Sequence, residues 1–427
     1  MKSLLQCTIL DAMASSEITL EAVPSIGEVS PEDWDACANP GKACNGHGKG
    51  SSSGLPGDSA GFLKPAYNPF VSHAFLAAVE KSGSATIRTG WGPRHLVAKI
   101  DGRVAGVVPC YLKSHSQGEY VFDRGWAEAY ERAGGQYYPK LQVSVPFTPA
   151  TGRRLLVRPS PDAGQVRSGL TAGLIELCRR HEASSVHFTF LPEAESQFLA
   201  EQKFLHRTDQ QFHWVNAGYD TFDGFLEALS ARKRKTIRRE RRDALSPGIT
   251  VHWLTGSDLT ESAWDAFFEF YMETGSRKWG RPYLTRKFYS LIGERMPQDI
   301  VLMMAKRAGR WIADAINFRG SDALYGRHWG AVENHPFLHF ELCYYQAIEY
   351  AIQHKLKRVE AGAQGEHKLA RGYMPVTTHS AHYIADPGLR RAVADYLVRE
   401  RAYVEAAGQE LAAAAPFRKD LAEQEQD

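Results

Sequence analysis

Cysteine is scarce: six residues (Cys7, Cys37, Cys44, Cys110, Cys178, Cys343) scattered through 427 positions. That spacing excludes a disulfide framework and points to a reducing compartment. Cys37, Cys44 and His47 fall close together, yet they lack the two-pair spacing of a zinc site, so no metal is expected there. No stretch approaches the ~18 apolar residues of a membrane helix. Gln6 interrupts the only apolar run near the start, which excludes an ordinary signal peptide and leaves a cytoplasmic protein as the expectation. Ser-His-Asp order, a His-Glu-x-x-His pair and a dinucleotide Gly-x-Gly-x-x-Gly motif are all absent. Net charge is nearly absent too. Lys and Arg total 51 against 49 Asp and Glu, a formal +2, which excludes a generally basic chromatin-type chain.

What remains is length and ordinary globular composition, with 43% apolar and 11% aromatic residues. Such a chain accommodates two or three domains. Residues 1–20 read as a loose tail, and Asn39–Ala66 as a Gly/Ser-rich insertion within a first unit over 21–220. Gly48-Lys49-Gly50-Ser51 lacks phosphate-loop spacing and has no preceding strand. Ser30-Pro31 and Ser72 are helix starts. Asp101-Gly102 between apolar runs is a hairpin turn. Glu119–Asp123 reads as a further strand.

The second half repeats this order. Ala98-Lys99 and Gly102-Arg103 superpose on Ala305-Lys306 and Gly309-Arg310, and His213-Trp214-Val215 on His382-Tyr383-Ile384. The two offsets differ by extra sequence assigned to Tyr130–Pro159. Two anchors in one order indicate an internal duplication, with a basic connecting helix over 221–249, a second unit over 250–388 and a terminal helix and tail over 389–427. Each unit mixes hairpin strands with helices, which predicts an α+β fold with mainly antiparallel sheets faced by helices.

Charge is concentrated in Ala231–Arg242, where eight cations face one acid. That segment carries +7, and the rest of the chain is mildly acidic. Ile237 is its only apolar residue beyond Ala231, so the helix has almost no face to bury. Like charges three and four residues apart repel, so this helix suits a polyanion. Arg232, Arg234, Arg238 and Arg239 are the candidate phosphate ligands. A solvated linker helix and a nuclear-localisation run are the alternatives.

A second candidate is Val359–Tyr373. Gly362 and Gly365 permit close backbone approach before a short helix, and Glu366, His367, Lys368 and Arg371 gather within one turn of it. A carboxylate, an imidazole and two cations suit base catalysis beside an anionic substrate. Glu366 or His367 is the candidate base, with Asp314 in reserve. Gln364, Gly365, Lys368, Arg371 and His328 are candidate binding residues. Thr151-Gly152-Arg153, after the strand at Leu141, could offer amides to a pyrophosphate. The aromatic helix from Phe337 to Ile348 reads as core.

Three segments resemble one family. They are Gly362–Tyr373 with Thr377–Tyr383, Tyr137–Gln142 with Phe147-Thr148-Pro149, and the basic run ending Ile237–Arg241. The chain from Pro69 to about Glu405 looks like the FemAB-like predicted N-acyltransferases. The resemblance implies tandem GNAT-like domains and transfer of an acyl or aminoacyl group to an amine, with relatives in peptidoglycan synthesis. It implies acyl-CoA or aminoacyl-tRNA as co-substrate and no permanently bound cofactor. Both donors are polyanions, so the basic helix suits either. The rival reading is a non-catalytic tRNA- or nucleic-acid-binding protein that retains the fold.

Overall fold

The computed structural model describes residues 4–5, 17–41, 65–246, 248–279, 282–362 and 365–418. Cys44, His47, the Gly/Ser run, Gln364, the side chain of Glu366 and the expected frayed end at 420–427 lie outside the described residues. The first half runs β1 (Ile18–Val23), α1 (Pro31–Ala38), α2 (His73–Lys81), β2 (Trp91–Pro93), β3 (His95–Ile100), β4 (Arg103–Val108), β5 (Cys110–Lys113) and α3 (Arg124–Arg132). It continues through β6 (Lys140–Val143), β7 (Leu156–Val157), α4 (Ala163–Arg180), β8 (Ser185–Leu191), α5 (Glu193–Glu201) and β9 (Leu205–Val215). The second half holds α6 (Phe222–Ala228), α7 (Ala231–Leu245), β10 (Ile249–Leu254), α8 (Glu261–Trp279), α9 (Arg286–Arg295), β11 (Ile300–Arg307), β12 (Arg310–Arg319) and β13 (Ala323–Ala331). Then come α10 (Leu338–Phe340), a π-helical stretch Glu341–Tyr345, α11 (Gln346–Gln353), β14 (Arg358–Glu360), a 3-10 helix Glu366–Arg371, β15 (Met374–Ile384) and α12 (Pro387–Ala413).

Helix starts follow local chemistry. The Ser30 hydroxyl accepts from the Asp33 amide at 3.1 Å with Pro31 opening α1, and Ser72 accepts from Phe75 at 3.3 Å to start α2. Strand β1 begins inside the stretch read as a tail, because Ile18–Val23 pair with His95–Ile100 of β3. Both expected hairpins form. Asp101-Gly102 and Ala308-Gly309 take positive φ values (49 and 77°, 47 and 79°), the left-handed pair that a two-residue hairpin requires.

The chain divides into two compact α+β units, Met1–Thr208 with Thr378–Ala402 and Asp209–Thr377 with Tyr403–Asp427. The basic helix α7, read as a connector, thus belongs to the second unit. Among the described residues each unit holds one parallel pair, β6 with β8 and β13 with β14, within otherwise mainly antiparallel pairing. The final strand of each half is exchanged: β15 pairs with β8 of the first unit, and His213–Val215 of β9 pair with β14 of the second. The extra sequence of the first unit brackets β6. It occupies 114–139, against 320–322 in the second unit, and 144–162, against 332–337. It therefore starts earlier than Tyr130.

Glu119–Asp123 is not a strand. Its two carboxylates turn inward instead, onto Lys140. The Lys140 Nζ donates to Glu119 at 2.7 Å, to Ser116 at 2.8 Å and to Asp123. Tyr137 donates to Asp123 at 2.7 Å. Beside this network the Nδ1 atoms of His187 and His382 lie 2.7 Å apart. Burial pushes the His187 imidazole down to about 3, and His382 well below its ordinary value. Both rings are neutral when folded. The folded state then binds fewer protons than the unfolded chain below pH 6.5, so stability falls as pH falls toward 3, by up to ~1.4 kcal/mol per pH unit per proton. Urea midpoints measured at pH 7 and pH 5 are expected to fall on the acid side. Replacing both histidines by glutamine should flatten that dependence.

Candidate functional site

The second unit builds its site on the loop after β14. Gly365 has φ +110° and sits so close to His367 that a Cβ would come within 2.4 Å of the ring. Gly372 ends the 3-10 helix at φ +86°, and a Cβ there would meet the Phe225 ring at 2.9 Å. Left-handed backbone plus this close packing predicts a loss of about 1–2 kcal/mol for Gly372→Ala. Thermal unfolding reads it directly.

The cations of this helix are engaged internally. Lys368 donates to the carbonyls of Ala361 and Gly362 at 2.6 and 3.0 Å, closing the loop on itself, and burial pulls its ammonium down to about 8. Arg371, 6% exposed, donates to the His367 carbonyl and to Glu240 Oε2, both at 2.7 Å. Its guanidinium lies 3.5 Å over the Phe340 ring. Glu240 also accepts from the Tyr345 hydroxyl. The one acid of the basic run is therefore the buried clamp that joins α7, the 3-10 helix and the π-helical stretch.

His367 is the exposed member. Its Nε2 lies 2.9 Å from the Tyr344 hydroxyl, with Phe340 and His339 rings beside it. Burial, then the charges of Arg371 and Lys368, hold its imidazole below its ordinary range. At neutral pH the ring is therefore unprotonated and able to accept a proton. The helix read as plain core thus supplies the partners of the candidate base. A π-helical turn places Tyr344 and Tyr345 in reach of different groups, a register that 3.6-residue spacing does not predict.

Helix α7 has two faces. Ile237, Glu240 and Ala244 are buried. Arg241 reaches Glu341 at 2.9 Å and Glu349 at 2.7 Å, with its guanidinium 4.4 Å over Phe222. The expectation of a helix with almost no face to bury is corrected: its inner side is largely polar, which hydropathy misses. Arg238 meets the exposed Asp223 at 3.1 Å, and Arg242 its neighbour Asp243. Among the described residues no ion partner faces Arg232, Arg234, Lys235 or Arg239. These four line one partly open groove of about 420 Å³ together with Arg238 and Arg242. On the inner side a cavity of about 650 Å³ is lined by Arg241, Trp253, Gln346 and Glu349.

The remaining candidates sit elsewhere. Asp314 is fully buried on β12, and among the described residues neither of its side-chain oxygens has a partner at hydrogen-bond geometry. Burial pushes its carboxyl well above the usual range, opposed only by the nearby Gly330 backbone. Burial thus biases Asp314 toward its uncharged form, which makes it a weaker candidate base than the exposed His367. His328 packs against Tyr271, and burial with Arg327 brings it to about 3. It follows a bulge, since β13 skips Arg327 between its partners Ile316 and Asn317. Nearby, β13 and β14 pair only over Ala323–Tyr325.

In the first unit the Thr151–Arg153 turn is tied into its surroundings. The Gly152 amide donates to Phe190, the Thr151 carbonyl accepts from Asn68, and Arg153 binds the carbonyls of Cys37 and Ala38. The next two amides, Arg154 and Leu155, donate to buried Glu195 at 2.8 Å each. An internal carboxylate thus occupies the two amides that follow the turn.

Among the described residues no helix is long and apolar enough to cross a membrane. No curated protein matches the sequence. Solved structures that resemble the chain include FemX (13% identity, 74% of this chain and 93% of that one, TM-score 0.47). A tandem GNAT protein from the clavulanic acid biosynthesis pathway shares 13% identity over 87% of this chain and 99% of its own, TM-score 0.44. L-PGS from Bacillus licheniformis shares 10% over 78% and 98%, TM-score 0.45. The model of the FemAB-like family, described as peptidoglycan biosynthesis/recognition, matches residues 25–419. With nearly its whole length matched and tandem α+β units in place, the chain belongs to the FemAB-like family.

Proposed function

We propose that the protein transfers an acyl or aminoacyl group from a CoA thioester or an aminoacyl-tRNA to an amine acceptor in cell-wall precursor metabolism. The observation that carries this reading is the construction of α7. Its outer face holds four cations without ion partners among the described residues, and its inner face, through Glu240 and Arg371, fixes the helix that bears His367. A phosphate-rich donor on the outer face and a neutral imidazole linked to the inner one are the two requirements of the transfer.

In this scheme His367, or Glu366 beside it, takes the proton from the acceptor ammonium. The amine nitrogen then attacks the donor carbonyl carbon, and the oxygen becomes an oxyanion stabilised by strand amides such as those at the β13 bulge. The oxyanion collapses to an amide and expels the CoA thiolate or the tRNA ribose oxygen, which takes a proton. The net change is one amide made and one ester or thioester broken. No metal enters the balance.

A screen of radiolabelled acyl-CoA and aminoacyl-tRNA donors against amine-bearing cell-wall precursors tests the reading; the absence of transfer from every donor sinks it. If the protein only binds tRNA, His367→Ala leaves affinity intact and there is no turnover to lose. The identity of the base has its own readout. With His367, the acid limb of kcat/KM falls below pH 6.5, because the imidazole is depressed, and disappears in His367→Ala. With Glu366 the limb survives that substitution. Tyr344→Phe, which removes the hydroxyl at 2.9 Å, is expected to shift the limb and lower kcat by roughly tenfold while leaving KM for the donor unchanged.

A further inference from the structure

Beyond α12 the chain returns to the start of α7. The Ser230 amide donates to the Pro416 carbonyl and the Arg418 amide to the Ala228 carbonyl, both at 3.0 Å. Leu229 and Phe417 form the bridged pair between them. Leu229 is fully buried, and Phe417 packs on the same apolar core. Ser230 immediately precedes α7. Arg418 is therefore fixed opposite Ala228, three residues before the basic helix begins.

Helix α7 opens with charges that oppose a helix start. Among the described residues the Ser230 side chain caps no amide, and the first turn holds no acid. Arg232, Lys233 and Arg234 therefore add to the positive end of the helix dipole instead of cancelling it. Six cations line the outer groove that follows, and two of them, Arg238 and Arg242, have Asp223 and Asp243 beside them. Arg232, Lys235 and Arg239 fall three and four residues apart and share one side of the helix, in steps of about 4.5 and 6 Å along its axis. The chain beyond Arg418 has the opposite composition. Residues 419–427 carry Asp420, Glu423, Glu425 and Asp427 against the single cation Lys419.

We propose that residues 420–427 dock on the outer face of α7 as an internal polyanion that any other polyanion must displace. Reach permits it. Nine residues past the anchor span up to ~30 Å when extended, whereas the 15 residues of α7 measure about 22 Å. Glu423, Glu425 and Asp427 alternate in sequence, so an extended segment turns their carboxylates to one side about 7 Å apart. That spacing is close to the steps between Arg232, Lys235 and Arg239. Surface ion pairs are individually weak, but attachment through Pro416–Arg418 holds these acids at an effective concentration in the millimolar range. A ligand with fewer charges than the segment is held off, while a longer polyanion makes more contacts and takes the face. Docking needs only the charges of α7; its bearing on turnover rests on the reading of the same face as the donor site.

The test uses the full chain and a fluorescein-labelled heparin oligosaccharide, a polyanion with no acyl group to give, so failure here leaves the transfer reading standing. Asp420→Asn, Glu423→Gln, Glu425→Gln and Asp427→Asn combined should tighten heparin binding about fivefold at 50 mM salt, read by anisotropy. The gain should shrink as salt is raised to 300 mM. A matched variant that neutralises four exposed acids of the first unit (Glu128→Gln, Glu131→Gln, Glu182→Gln and Glu201→Gln) should bind as the unmodified protein does. Carbodiimide coupling of the unmodified protein, followed by peptide mass spectrometry, should join Lys235 to Glu423 or Glu425, and added heparin should suppress that product. Equal heparin affinity with and without the four acids of 420–427 overturns the proposal. So does an equal gain in the matched variant, which assigns the effect to net charge, and so does the absence of a cross-link to Lys235.

Discussion

Replacing Arg232, Arg234, Lys235 and Arg239 together by serine is expected to weaken binding of tRNA at least 100-fold at moderate salt, with the fold intact. The magnitude follows from counterion release. Each phosphate contact contributes ~0.7–0.9 to the slope of log K against log salt, so four lost contacts should flatten that slope by about 3. The fold should survive because the four cations have no ion partners among the described residues, whereas Arg241 and Glu240 on the inner side are left in place. Removing like charges three and four residues apart should even raise the melting temperature slightly. Fluorescence anisotropy with labelled tRNA across 50–300 mM salt, repeated with a CoA competitor, gives both quantities. An unchanged affinity and slope would remove the outer face of α7 from the donor site. A loss for tRNA without a loss for CoA would select the aminoacyl donor, since a single CoA engages fewer phosphates than an RNA backbone.

The parts of this molecule that the sequence made legible are those where local rules act alone. Caps at Ser30 and Ser72, the paired hairpin turns at Asp101-Gly102 and Ala308-Gly309 and the order of the repeated elements depend on near neighbours. The site was legible in composition and not in wiring. The sequence shows a cluster of Glu366, His367, Lys368 and Arg371, but Lys368 and Arg371, which suit a phosphate by type, close a loop and an ion pair instead. Their partners, two backbone carbonyls and Glu240 some 130 positions away, leave no local trace. The Glu119–Asp123 segment failed for a similar reason. Its Tyr120-Val121-Phe122 run has strand propensity, yet the buried amine of Lys140 draws the flanking carboxylates inward and outweighs that propensity. Tyr344 was hidden by a π-helical register.

Glu240→Ala is expected to be the most destabilising single change in the second unit, by about 3–5 kcal/mol, because it leaves the Arg371 guanidinium buried without a counter-charge and the Tyr345 hydroxyl without its acceptor. Chemical denaturation should register it as a lower midpoint with an unchanged slope. The double variant Glu240→Leu with Arg371→Leu separates the two consequences of the clamp. Replacing a buried ion pair by apolar groups of similar size is often neutral or stabilising, so the double variant should regain most of the lost stability. It should not regain turnover if the clamp positions the base. Arg371 holds the His367 carbonyl at 2.7 Å and covers Phe340, one of the rings beside His367. With both gone, kcat should stay at least tenfold down while KM for the donor, which rests on the outer face of α7, changes little. A double variant with native stability and native kcat would show that the pair only holds the fold, and His367 would then lose the support that singles it out from Glu366.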